Sequence, residues 1–301
     1  MSQALITVFG GTGFLGDHVV RELVEAGHAV RIAARNPRLP AWAEAIDPLE
    51  GVSADIRCEA DVARAIEGAD GVVNAVSLYV EHKHLRFEDI HVQGAARVAR
   101  LSRQCGIPSL IQLSGIGVDP ASRSRYVSAR GRGEAAVIEA YPKAIILRPS
   151  VMFGPNDTFL SRLAELTRLP FVPLFGYGDT RLQPVHVVDI ARSIARLLSA
   201  VPSERRLFEL GGPDILSYRE LLLQVMAYLK RERPLVPVPF ALWQAIALLV
   251  SPLPGPPLTR DQVIMMANDN VVEPGVGSFE DLEIRPRSLR DYLPACLGPA
   301  G

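Results

Sequence analysis

The run Gly10-Gly11-Thr12-Gly13-Phe14-Leu15-Gly16 lies between a short apolar segment, 5–9, and a stretch, 14–26, in which Phe14, Leu15, Val19, Leu23 and Val24 recur near helical spacing. A strand that passes into a helix through such a turn admits few folds. Gly10 permits the tight turn, Gly13 lets the backbone approach a pyrophosphate, and Gly16 allows the helix to pack closely on the strand. The helix start adds free N–H groups and a favourable dipole. Its position between strand and helix gives the turn its weight, and the expectation is a dinucleotide held by Gly10, Thr12, Gly13, Phe14, Leu15 and Gly16.

The same alternation continues, with strands expected over 29–33, 51–54, 72–75, 110–113 and 144–147 and helices over 59–67, 90–105 and 126–140. Strands separated by helical patterns predict an α/β fold, a doubly wound parallel Rossmann sheet. After Pro149 the rhythm breaks. Residues 150–183 read as loop plus one helix over 158–169, and 184–188 as a return to the sheet, with Asp189 capping a helix over 190–198. A helix over 217–231, an apolar segment and a proline-rich tail follow. The expected organisation is a nucleotide domain of 1–149 plus about 184–211, and a smaller, mostly helical lobe of about 150–183 plus 212–301, built from excursions of the chain.

Composition removes several classes. With 32 cations against 33 anions over 301 residues, the chain lacks a nucleic-acid footprint. Cys58, Cys105 and Cys296 are odd in number and widely spaced, which suggests a reducing compartment, neither a disulfide framework nor a metal site, and the cytoplasm as the expected location. The N-terminus carries no export pattern. The apolar segment 235–253 is interrupted by Pro237, Pro239, Pro252 and Gln244, leaving fewer residues than the ~20 a transmembrane helix needs. A buried or interfacial helix beside a substrate opening or partner face is expected there, with no transmembrane span.

Cofactor choice is read at the end of the second strand, Val30-Arg31-Ile32-Ala33-Ala34-Arg35-Asn36. A carboxylate there would favour NAD(H), and none is present. Arg35 favours NADP(H), because a guanidinium fork matches a 2′-phosphate; NAD(H) stays open. Asp55 is the candidate for the adenine edge.

The glycine turn, together with Asn74, Ser114 and Tyr126, resembles the short-chain dehydrogenase/reductase superfamily in its extended or atypical branch. The resemblance implies that Ser114 polarises a carbonyl, that Tyr126 acts as acid, and that Asn74 and Pro149 border the cofactor. It also implies a lysine four residues after the tyrosine, and here that position is Arg130. An arginine keeps a cation on the same helix face, but it cannot relay protons and differs in shape from an ammonium. Only three of the 32 cations are lysines, so the exchange is cheap wherever the site tolerates it. Turnover through Ser114, Tyr126 and Arg130 is therefore an open question.

The runs 87–95, 114–117, 258–263, 268–272 and 292–294 are more specific, and resemble the NADPH-binding accessory subunits of respiratory complex I and their bacterial relatives. This implies tightly held NADP(H), complex I subunits as partners, a peripheral place at the inner membrane, a structural or assembly role and a link to quinone metabolism. The alternative is an active NAD(P)-dependent oxidoreductase on a hydrophobic carbonyl or quinone-like ligand. A sugar-nucleotide epimerase or dehydratase lacks its Tyr-x-x-x-Lys pair here, although Arg181 stands where such enzymes present a phosphate ligand. His186 reads as structural.

Overall fold

The computed structural model describes residues 3–39, 42, 49–82, 84–199, 205–251, 253 and 256–298; Lys83 and Pro252 lie outside them. Six strands follow the alternation: β1 (Leu5–Phe9), β2 (Ala29–Ala34), β3 (Leu49–Ser53), β4 (Gly71–Asn74), β5 (Ser109–Leu113) and β6 (Ile145–Pro149). A further strand, β11 (Leu207–Leu210), adds to β6, and the parallel sheet runs β11-β6-β5-β4-β1-β2-β3. The fold is the expected doubly wound α/β sheet. Its strand order reverses between β1 and β4, so a crevice opens beyond their carboxyl ends, where such sheets bind ligands.

Both faces of the sheet are covered, which is why its strands read as near-continuous apolar runs. On one face α1 (Phe14–Glu25) and α6 (Val187–Ser199) bury Val19, Leu23, Ile190 and Ile194 against Val8, Ile32 and Ile111. On the other, α2 (Glu59–Ile66), α3 (Ala95–Gln104) and α4 (Arg125–Ala140) contribute Val62, Ile66, Val98 and Val137. The helix expected over 90–105 divides in two. A π-helical segment, Glu88–Gly94, precedes α3, and its wider turn carries His91.

Beyond β6 the sequence reading needs correction. Residues 184–188 do not rejoin the central sheet: β10 (Val185–His186) pairs with β7 (Met152–Phe153) in a separate two-stranded sheet. The strand that does rejoin is β11. Asp189 does not cap α6 but lies within its first turn, because its carboxylate is taken by the Arg287 backbone N–H and guanidinium. The stretch 150–183 holds α5 (Thr158–Leu166), β8 (Val172–Phe175) and β9 (Arg181–Leu182) as well as loop.

A separate apolar core gathers Phe153, Leu160, Leu174, Tyr218, Leu221 and Leu289, from β7, α5, β8, α7 (Tyr218–Tyr228) and α10 (Leu289–Leu297). The last quarter of the chain is shared between the two cores. Phe279 and Leu282 are buried in the core of the sheet, and the Glu209 N–H donates to the Gly277 carbonyl at 2.8 Å.

Candidate functional site

At the crevice, Gly10 adopts φ +79°, a left-handed conformation that favours glycine, and its backbone passes against Ala75 and Val76. A Cβ on Gly16 would come within 2.0 Å of the Gly10 carbonyl oxygen, so only glycine lets α1 start so near β1. α1 begins at Gly13 with no side-chain cap, and Thr12 and Gly13 are exposed. The first amides of α1 are thus left to an external acceptor, which is the chemistry a pyrophosphate supplies. The residues fit a dinucleotide: Gly10, Thr12, Gly13, Phe14, Leu15 and Gly16 form this one turn.

Around that turn the other expected cofactor residues take different tasks. Arg35 is exposed just past β2 and forms no ion pair among the described residues. Asp55 is engaged: its carboxylate accepts from Arg57 Nε at 3.0 Å and Nη2 at 2.6 Å, and this holds it below the usual carboxylate range despite partial burial. Asn74 is buried, donates from Nδ2 to Gln112 Oε1 at 2.8 Å and accepts from the Val76 N–H at 3.3 Å. It braces β4 to β5 and shapes the turn that touches Gly10. Pro149 ends β6, and its carbonyl accepts from the Ile116 N–H at 3.2 Å.

The second cluster sits at the start of α4. Arg130 Nη1 donates to Tyr126 Oη at 2.9 Å and to Ser77 Oγ at 3.2 Å, so the i, i+4 pair meets on one helix face as expected. Burial holds the Tyr126 phenol above its ordinary range, and the Arg130 charge pulls the other way without cancelling it. Ser114 is buried, and its hydroxyl finds no partner among the described residues; Arg130 Nε is likewise unpaired.

Three aromatic neighbours surround Tyr126. Tyr79 stacks on it at 5.8 Å, while Phe87 and His91 meet it edge-on at 5.5 Å. His91 bonds to the Leu78 carbonyl at 2.9 Å, and burial, aided by the Arg130 charge, lowers its pKa to about 4. α4 approaches the π-helical segment so closely that a Cβ on Gly133 would fall 2.0 Å from the His91 carbonyl oxygen.

The C-terminal runs that looked most specific turn out to hold this cluster together. Asp261, in α9 (Arg260–Met265), accepts from Ser124 Oγ at 2.6 Å and from the Tyr126 N–H at 3.4 Å, and so adds a carboxylate to the N-terminus of α4. Asn270 Oδ1 accepts from Ser150 Oγ at 2.7 Å and from the Val151 N–H at 3.0 Å, and its Nδ2 donates to the Ile116 carbonyl. Arg181 is turned onto Asp269, with Nε at 2.8 Å and Nη2 at 2.7 Å, which neutralises the cation a sugar-nucleotide phosphate would need. His186 is buried between Phe153 and Tyr292. Sequence reading missed Ser77 and Tyr79, and held His91 only as part of the run 87–95, with no role in the site. The available signal was their place in and after the loop that leaves β4, beside the point where strand order reverses.

A family described as the NAD dependent epimerase/dehydratase family matches residues 6–211, and the chain belongs to it. Over nearly its whole length it is also similar to NADH dehydrogenase (ubiquinone) 1 alpha subcomplex subunit 9, mitochondrial, of Arabidopsis thaliana: 33% identical, covering 97% of this chain and 77% of that protein. A ceramide reductase of Caulobacter vibrioides is 30% identical over 64% of this chain and 60% of its own length. Among solved structures, the Bordetella bronchiseptica enzyme WbmG in complex with NAD superposes with a TM-score of 0.72 at 17% identity, covering 98% of this chain and 93% of that one, a likeness of fold.

Proposed function

We propose that this protein binds NADP(H) at the glycine turn and serves a structural or assembly role linked to respiratory complex I or quinone metabolism, with little or no hydride transfer. The observation that carries this reading is the Arg130 guanidinium on Tyr126 Oη, beside a phenol that burial holds above its ordinary range. A proton donor for carbonyl reduction needs a pKa near the working pH, and burial moves the Tyr126 phenol further from it. When bound, the nicotinamide would supply hydride chemistry; the residues here bind and enclose it. Gly13 and the first amides of α1 would take the pyrophosphate, Arg35 the 2′-phosphate, Asp55 and Asn74 the adenine and nicotinamide borders through their turns, and Pro149 the far side. The same reading has the protein in the cytoplasm, peripheral to the inner membrane, with complex I subunits as partners and a hydrophobic or quinone-like small molecule as its ligand. The subunit 9 similarity supports it.

A nucleotide bound only by the folded state at 1,000-fold excess over Kd stabilises that state by roughly 4 kcal/mol. Native mass spectrometry of gently purified protein should therefore report NADP(H), and Arg35→Glu should weaken NADPH binding by roughly tenfold or more while sparing NADH. Apo-protein indifferent to either nucleotide would overturn the reading.

A second reading, an oxidoreductase on a hydrophobic carbonyl, is favoured by the buried Ser114 hydroxyl, which has no partner among the described residues and is left to donate to a carbonyl oxygen. The ceramide reductase similarity points the same way. Under it Tyr126→Phe should abolish NADPH-dependent reduction, and undiminished turnover in that variant would exclude it.

A further inference from the structure

We propose that the outer face of α8 (Phe240–Val250) is a membrane-docking surface, which lies on an anionic lipid bilayer with the helix axis in the plane of the interface. Of its 11 residues only Ala247 is buried. The inner side is fixed to the lobe by aromatics: the Trp243 ring stands 4.6 Å from Phe175, its Nε1 donates to the Leu174 carbonyl at 2.9 Å, and Phe240 stacks on Phe175. The outer side carries Ala241, Leu242, Ala245, Leu248 and Leu249, at i, i+1, i+4, i+7 and i+8, all exposed. Leu242 is 52% exposed, Leu248 61% and Leu249 79%, and Leu253 just beyond is 53% exposed. A helix apolar on both faces is ordinarily buried on both.

Charge selects the occupant. From Pro234 to Thr259, 26 consecutive residues carry no Asp, Glu, Lys, Arg or His. At the borders of this stretch Lys230, Arg233 and Arg260 are exposed and form no ion pair among the described residues, against a single exposed anion, Glu232. Asp261, the next acid, is turned onto α4. Basic residues at both ends of an uncharged, apolar stretch of chain match an anionic headgroup layer over hydrocarbon.

The stripe itself is aliphatic. It offers no side-chain hydrogen-bonding group and none of the Tyr, Trp or Arg that anchor protein interfaces, whereas hydrocarbon demands neither. The helix is about 16 Å long, too short to cross a bilayer, and no helix among the described residues is long and apolar enough to do so.

The proposal rests on the reading above in so far as that reading puts the protein at a membrane, but it is independent of nucleotide binding, and its test keeps the two apart. The full chain is sedimented with vesicles of phosphatidylcholine plus phosphatidylglycerol and with vesicles of phosphatidylcholine alone. Binding should favour the anionic vesicles, weaken with added salt without vanishing, and fall by roughly 100-fold in the Leu248→Glu/Leu249→Glu variant. That variant should keep the far-ultraviolet dichroism and NADPH affinity of the parent chain. Absence of binding to both vesicles, or equal binding by the variant, would overturn the proposal. Binding only to membranes that retain their proteins would assign the stripe to a protein partner instead. A dimer that the variant dissolves would assign it to a second copy of the chain.

Discussion

The helices α1 and α4 both start at the carboxyl edge of the sheet, yet their first amides are satisfied in opposite ways. α1 opens at Gly13 without a side-chain cap. At α4 the Ser124 hydroxyl accepts from the Val127 N–H at 3.3 Å, and Asp261 reaches across from α9 to the Tyr126 N–H. A helix N-terminus carries about half a positive charge and attracts an anion of some kind. At α1 Asp17 lies in the first turn but no side chain caps the first amides, so their acceptor is left to come from outside, as a ligand does. At α4 the protein supplies its own carboxylate, so the tyrosine that would face a substrate rests on an end already closed. The contrast separates a helix end left open to a ligand from one that the protein closes itself.

Three measurements would break or sharpen that contrast. The largest effect is expected at α1: Gly16→Ala places a methyl against the Gly10 carbonyl and should cost roughly 3 kcal/mol of stability together with the rise in thermal midpoint that added NADPH gives the parent chain. Retention of that rise would show that the turn is not the nucleotide cradle.

The next concerns His91, which packs on Tyr126 with its pKa lowered to about 4 from 6.5. A histidine held neutral in the fold takes up a proton on unfolding, so the unfolded chain binds more protons between those values. Stability is then full above pH 6.5 and is lost as pH falls toward 4. Denaturant titrations at pH 7 and pH 5 should differ by up to about 2 kcal/mol from this group, and His91→Gln should remove that share. His186, also lowered to about 4, should leave part of the slope in place.

The smallest effect is at the α4 cap. Asp261→Ala should lower stability by about 1 kcal/mol, Asp261→Asn by less because an acceptor remains, and neither should change NADPH affinity. A loss of affinity in either variant would mean that the closed end and the open end are coupled.

The glycine turn and six of the seven central strands were legible in the sequence, because a parallel sheet covered on both faces writes itself as apolar runs separated by helical periods. β11 was harder. It is only four residues long and carries Glu209, and a buried carboxylate in this edge strand is intelligible only once Arg148 Nη1 is seen 3.1 Å from it, with Glu134 on that arginine's other side. Asp189 misled for a related reason: the residue type suits a cap, but its partner, Arg287, lies 98 positions away. In the site, Ser114, Tyr126 and Arg130 were marked by spacing along one helix and one strand end. Tyr79 was not, since ring stacking depends on the path of a loop. The runs around Asp261 and Asn270 were visible as patterns, but their purpose was not, because each hydrogen bond they make to the site spans more than a hundred residues.

Those long spans set an order of assembly. A chain is made from its N-terminus, and early segments begin to fold before later ones exist. When β11 has left the ribosome the whole sheet is present, yet Ser124, Ser150 and Val151 still await Asp261 and Asn270. The nucleotide turn is complete from the first strands onward. A dinucleotide could therefore dock on the nascent chain before the tyrosine cluster is locked, and a ribosome stalled near residue 250 would carry a cofactor-competent protein whose second helix end is still open.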